Sequence, residues 1–208
     1  MSNQTHEKVN MDPGYIIKLA VTLLITCAVV AAALGGVNAV TADKIADINR
    51  ENTEKAMKAV VADPDATEFS DAMELTETMT AAASGAGASL DSVYQATANG
   101  ENAGYAIKVV ASGSQGSIEM MVGVDGEGAV TGVSIVKNSE TKGIGSKAME
   151  HQNTASGTGV LSQFIGKSAA DGTLTVGSNV DAITGATVST RGVTTGVNAA
   201  LAVAGALG

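Results

Sequence analysis

Ten residues near the C-terminal end, Asp181-Ala182-Ile183-Thr184-Gly185-Ala186-Thr187-Val188-Ser189-Thr190, carry the types and spacing to do chemistry with an anion. They read as a strand end, a turn of small residues and a helix start. Gly185 and Ala186 leave the backbone open to close approach. The first N–H groups of a helix lack intrahelical acceptors, and the helix dipole favours a negative group beside them. Thr187 therefore offers a hydroxyl next to a place where a phosphate is welcome, and Ser189 or Thr190 reads as the N-cap. The same residues also read as ordinary capping sequence, in which Thr187 is merely a helix-start residue.

Other chemistries find little support. The one cysteine, Cys27, excludes an internal disulfide, a CxxC pair and a four-thiolate cluster. It lies in an apolar stretch and reads as a small apolar side chain. His6 and His151 are far apart in sequence, which makes a zinc or haem site poor. Redox chemistry on this chain would need an organic cofactor. The net charge is -9, and the basic residues are not clustered, so a nucleic-acid partner is not expected. Gly166-Lys167-Ser168 ends like a P-loop, but Leu161 stands where its first glycine belongs. No G-x-G-x-x-G follows a strand. No side chain reads as an acid, base or nucleophile toward a substrate, and no catalytic residue or metal ligand is assigned.

The elements that must position the Thr187 segment follow from periodicity. Tyr105, Ile107 and Val109 alternate with Ala106 and Lys108, and Ile118, Met120, Val122 and Val124 alternate across Glu119 and Met121. Asp125-Gly126 begins a turn, and Ala129 to Val136 is the returning strand. Residues 65 to 92 are acidic and rich in small residues, with a helix expected around Ser70 to Thr80 and a turn at Ser84 to Ser89. Ser139 to Gly145 is a loop, and Lys147 to Phe164 reads as partly helical. Thr173 to Val176 and Val180 to Ile183 read as short strands. Val193, Val197, Ala200, Leu201, Ala204 and Leu207 form one face of a helix over Thr190 to Leu207. With aromatics at 2% and no tryptophan, the core must be aliphatic. These elements make an α+β domain, helices packed on an antiparallel sheet.

The 208 residues suit one such domain plus an anchor. Leu19 to Val37 carries no charge, and its only hydroxyl side chains are Thr22 and Thr26. At about 1.5 Å per residue this run covers roughly 28 Å, close to the hydrocarbon thickness of a bilayer. Lys18 and Tyr15 suit the interface beside it. A cleaved signal peptide competes, with Val40-Thr41-Ala42 as a passable cleavage site, but the apolar run is longer than the usual signal core. An uncleaved anchor, in contact with membrane lipid, is the expectation. Residues 41 to 62 continue as a helix that Asp63-Pro64 ends. Lys8 and Lys18 precede the span, and Lys44, Arg50, Lys55 and Lys58 follow it. That count alone puts the large domain in the cytoplasm, yet the rule weakens for long translocated domains, so composition leaves the side open.

Asp181 to Thr187 resembles the D-x-x-[S/T]-G-A-T flavinylation motif of the FMN-binding-domain family, with every fixed position met. In that family a flavin transferase uses FAD and Mg²⁺ to join FMN through a phosphoester to the last threonine, here Thr187. Ser139-Glu140-Thr141-Lys142-Gly143-Ile144-Gly145 resembles the family's E-T-P-G-L-G loop, which lies against the flavin ring. Lys142 stands where proline is usual, which costs loop rigidity. It reads either as a cation near the flavin or as a solvated lysine. The resemblance implies that Thr141 and Ile144 contact the ring, with Glu140, Lys142, Gly143 and Gly145 in the same loop. It implies that Thr184, Gly185, Ala186 and Ser189 surround the phosphate, flanked by Asp181 and Val188.

The strand order from Gly104 onward and the Ala56 to Phe69 segment also follow the family, so the resemblance covers roughly residues 15 to 207. The chain is similar to the G subunits of Rnf ion-translocating ferredoxin:NAD⁺ oxidoreductases, relatives of the C subunits of sodium-pumping NADH:quinone oxidoreductases. This implies a tail at 1–14, a transmembrane helix at 15–40, a juxtamembrane helical segment at 41–92 and an FMN-binding domain at 93–208. It implies an electron relay on the extracytoplasmic side of the cell membrane, with other membrane and peripheral Rnf subunits and the flavin transferase as partners. The alternatives are another anchored FMN-binding-domain protein, such as a sensor or respiratory accessory protein, and a non-redox anchored binding module.

Overall fold

The computed structural model describes residues 12–149, 152–154 and 156–207, so His6, His151 and most of the N-terminal tail lie outside the described residues. The chain divides into two compact units between Asn49 and Arg50. Helix α1 runs without a break over Pro13–Ala59. Pro13 at its first position suits a helix start, because proline's missing N–H would be unpaired there in any case. Among the described residues, α1 is the one helix long and apolar enough to cross a membrane. Within its apolar run, Thr22 and Thr26 donate their hydroxyls to the carbonyls of Lys18 and Thr22, so neither brings an unpaired donor into hydrocarbon.

The second unit is a five-stranded antiparallel meander in the order β1 (Thr67–Phe69), β2 (Ser89–Ala98), β3 (Glu101–Ser112), β4 (Ser117–Val124), β5 (Val130–Asn138). Helix α2 (Glu77–Gly85) precedes β2, and helix α3 (Thr187–Leu207) closes the chain. The expected α+β architecture is present. The segment 41–92 is helical only to Ala59 and again over α2, and it also contributes β1 and the start of β2.

Three expectations need correction. The helix placed around Ser70 to Thr80 lies at Glu77–Gly85, where the Thr76 hydroxyl accepts from the Met79 amide as N-cap. Thr173 to Val176 and Val180 to Ile183 are not strands. Among the described residues their only sheet-like link is a single parallel bridge between Val176 and Val180, and the Asn179 carboxamide instead binds the Thr175 amide. Among the described residues, the span from Lys147 to Phe164 holds only short 3₁₀ turns, at Gly145–Ala148 and Ser162–Phe164.

Strand alternation sorts the sheet into two faces. Ile107, Val109, Ile118, Met120 and Val122 are buried against Val193, Val197, Ala200 and Leu201 of α3 and Met79 and Ala83 of α2. The other face buries Ala106 and Met121 against Ala56 and Val60. The expected aliphatic core holds except at Phe164, a fully buried ring, with Phe69, Tyr94 and Tyr105 packed at the margins. Under α3, small residues let helix and strand approach closely. A Cβ on Gly192 would lie 2.6 Å from the Ser112 carbonyl oxygen, and one on Gly196 would overlap the Met120 side chain. Close packing at Gly192 brings the start of α3 to the end of β3, and there the site is built.

Candidate functional site

The meander places two loops at one end of the sheet. The β3–β4 connection, Gly113 to Gly116, turns there, with the Gly113 amide donating to the Gly116 carbonyl at 2.7 Å. The chain leaves β5 at Asn138, whose Cα pairs with that of Ile118 beside the same turn. The segment from Ser139 to Gly145 therefore starts next to the hairpin tip. Within it the Ile144 amide donates to the Thr141 carbonyl at 3.2 Å, and Gly143 sits at φ +74, the left-handed region that the third residue of a type II turn requires. Lys142 holds the second position of this turn, the place proline favours. Its exposed side chain leaves the loop outline intact.

The Thr184-Gly185 turn is built alike. The Ala186 amide donates to the Ile183 carbonyl at 2.9 Å, with Gly185 at φ +84. Helix α3 then begins at Thr187, earlier than expected, and neither Ser189 nor Thr190 is its N-cap. The helical ladder opens with the Thr190 amide donating to the Ala186 carbonyl at 2.9 Å. The amides of Thr187, Val188 and Ser189 thus precede the ladder and have no acceptor within the helix. The Thr190 hydroxyl is turned back onto the Ala186 carbonyl at 2.9 Å.

Glu140 ties these parts together. It is 8% exposed. One carboxylate oxygen accepts from the Ser114 and Gln115 amides at 2.7 and 3.0 Å, and the other accepts from the Ser189 hydroxyl. Burial pushes its carboxyl up, but the bonds from Gln115, Ser189 and Ser114 outweigh that and hold it below the usual carboxylate range. Glycine at 113 and 145 makes the room, since a Cβ at either would overlap a Glu140 oxygen.

Between the loops and the helix start lies an open groove of about 390 Å³, lined by Glu140, Thr141, Ile144, Gly145, Gly185, Ala186, Thr187, Val188 and Ser189, with Ser114 and Gln115. Asp181, Lys142, Gly143 and Thr184 are exposed and do not line it. Asp181 instead joins the turn to Gln163, whose side chain accepts from its amide at 2.7 Å and donates to its carbonyl at 3.0 Å. Ser114 and Gln115 are the groove residues that reading the sequence did not find. The Gly-Ser-Gln-Gly run marks a turn, but nothing in it says which residue the turn meets.

The geometry joins the two segments that resembled flavin-binding motifs, and comparison with known proteins bears on the same residues. The FMN-binding domain family model matches residues 113–202, a span that holds the hairpin tip, the loop and the helix start. The G subunit of the Na⁺-translocating ferredoxin:NAD⁺ oxidoreductase complex of Acetobacterium woodii is 34% identical over 96% of this chain and 97% of its own length. The chain belongs to the family of Rnf G subunits. The G subunit of an ion-translocating oxidoreductase complex of Methanosarcina acetivorans is 29% identical over 91% of this chain and 95% of that protein. Its counterpart in Aliivibrio fischeri strain ES114 is 35% identical over 52% of this chain and 53% of that protein.

The residues of this member of the Rnf family fit FMN. Three helix-start amides and the half-buried Thr187 suit a phosphate at one end of the groove. Ile144 and Val188, 55% and 52% exposed, offer apolar surface to a flat ring at the rim. Ser189 lies 2% exposed with its hydroxyl committed to Glu140, so the helix start would meet a phosphate mainly through backbone amides.

Proposed function

We propose that this chain is the electron-transfer subunit of a membrane-bound ion-translocating ferredoxin:NAD⁺ oxidoreductase and carries FMN as a phosphoester on Thr187. The observation that carries the reading is the groove in which the Thr187 hydroxyl stands beside helix-start amides that have no acceptor within the helix and beside the Glu140–Gly145 loop. In the attachment step the Thr187 oxygen forms a bond to the FMN phosphorus of FAD. The P–O–P bond breaks, AMP leaves, and the hydroxyl proton passes to a base of the flavin transferase. Bound flavin would supply one-electron acceptance and release, while this chain holds the phosphate and offers apolar surface to the ring. The covalent link keeps the cofactor from diffusing away.

Membership in the family of Rnf G subunits supports an N-terminal single-pass anchor in membrane lipid and the remaining complex subunits as partners. We place the large domain on the extracytoplasmic side, where a soluble cofactor would otherwise be lost. Protease added to intact spheroplasts should then cleave the domain. Protection of the domain in spheroplasts, with cleavage only after lysis, would reverse the assignment.

The deciding experiment is the intact mass of the membrane-purified chain beside its Thr187→Ala variant. The wild type should gain the mass of one FMN less one water and keep flavin fluorescence after denaturation, and the variant should lose both completely. An unmodified wild type, from cells shown to contain an active flavin transferase, would end the covalent reading.

A further inference from the structure

Glu140 is a buried charged residue held by more than one element. Its carboxylate is buried, and its three hydrogen-bond donors are two amides and a hydroxyl, all neutral. No ion pair to it occurs among the described residues. The three donors offset the desolvation of the carboxylate and hold the carboxyl below the usual range. Two glycines, Gly113 and Gly145, are spent on making space for it. It is also a poor proton acceptor for Thr187, because its bonds favour the ionised form and it makes no bond to the Thr187 hydroxyl. What it does is mechanical. It clamps the β3–β4 tip to the first turn of α3 through Ser189, two residues beyond Thr187, and its own peptide continues into Thr141 in the groove wall.

We propose that Glu140 is a positioning residue for phosphoester formation on Thr187. Its bond to Ser189 fixes the first turn of α3, so that the Thr187 oxygen enters the groove in one orientation as the acceptor of the FMN phosphoryl group, with AMP as leaving group. The Ser189 hydroxyl serves this clamp as a buried donor. This inference rests on the covalent reading given above.

The test uses the full-length chain in detergent, made without flavin transferase and then given the purified transferase, FAD and Mg²⁺. The initial rate of covalent mass gain is followed against acceptor concentration for the wild type, Glu140→Gln, Ser189→Ala and the double variant. A misplaced acceptor oxygen lowers kcat on the order of tenfold to a hundredfold. The KM for the chain should hold, because the surface offered to the transferase is unchanged. The double variant should be no slower than Glu140→Gln alone, since both changes open one clamp. Thermal melts by circular dichroism check folding, and if Glu140→Gln melts early, Ser189→Ala, which loses a single hydroxyl, carries the test. Wild-type kcat in both single variants, or effects that multiply in the double variant, would overturn the clamp while leaving attachment at Thr187 intact. A wild-type chain that gains no mass would overturn the covalent reading, and the clamp with it.

Discussion

The two faces of the sheet are closed by opposite means. Under α3 the helix gives way, with Gly192 and Gly196 on the helix and Ile118 and Met120 of β4 filling the space. On the other face the sheet gives way. Gly123 of β4 and Gly132 of β5 expose bare backbone, the Val60 backbone lies against it, and the Thr131 hydroxyl donates to the Val60 carbonyl. The difference lies in what an added methyl group would strike. At Gly196 it would strike the flexible end of Met120, whereas at Gly123 it would strike the Val60 carbonyl. At Gly192, nearest the groove, it would strike the Ser112 carbonyl. Helix α3 is thus held rigidly at its functional end and more softly further along.

That contrast orders the expected costs. Gly123→Val should be the most damaging, about 3 kcal/mol or more by urea unfolding, because backbone must move on both sides. Gly192→Ala should cost about 2 kcal/mol, and because it shifts the start of α3 it should also slow flavin attachment in the transferase assay. Thr131→Val keeps the shape and removes one hydrogen bond to a buried carbonyl, a loss of about 1 kcal/mol. Gly196→Ala should change stability by less than about 1 kcal/mol, since overlap with a pliable methionine is offset by alanine's better helix propensity. If Gly196→Ala proves as costly as Gly123→Val, the asymmetry between the faces is wrong.

The effect confined to acid is the smallest. The folded-state carboxyl of Glu140 titrates below its ordinary value of 4.5, so ionisation stabilises the fold above that value. This contribution is lost as pH falls through the folded-state value. The stability difference between wild type and Glu140→Gln should be constant near neutral pH and shift against the wild type only in acid. A difference that already changes between pH 6 and 8 (roughly two units above a free carboxylate) would mean another group is responsible.

What the amino-acid pattern revealed depended on how regular each element was. β3 and β4 alternate cleanly, and α3 carries an apolar stripe at spacings of three and four, so all three were legible. β2 was not, because its ladder to β3 shifts between Leu90 and Ser92 and again between Ala96 and Thr97, which breaks the period of two. β1 is only three residues long. The start of α3 was misplaced by trusting Ser189 as a cap, although its hydroxyl serves a carboxylate 49 residues away in sequence. The Thr187 and Glu140–Gly145 segments could each be seen locally. Their meeting in one groove, and the hairpin tip between them, come from strand register, which no local motif encodes.

The hairpin tip has a spectroscopic consequence. Ser114 and Gln115 are exposed residues on a short turn, a place where backbone amides normally exchange with solvent deuterium almost freely. Both amides here end on a buried carboxylate. They should exchange slowly, at rates closer to those of the sheet than of a loop. Any event that loosens the first turn of α3 would speed exchange at two positions more than seventy residues away along the chain, and so give a label-free signal for the state of the groove.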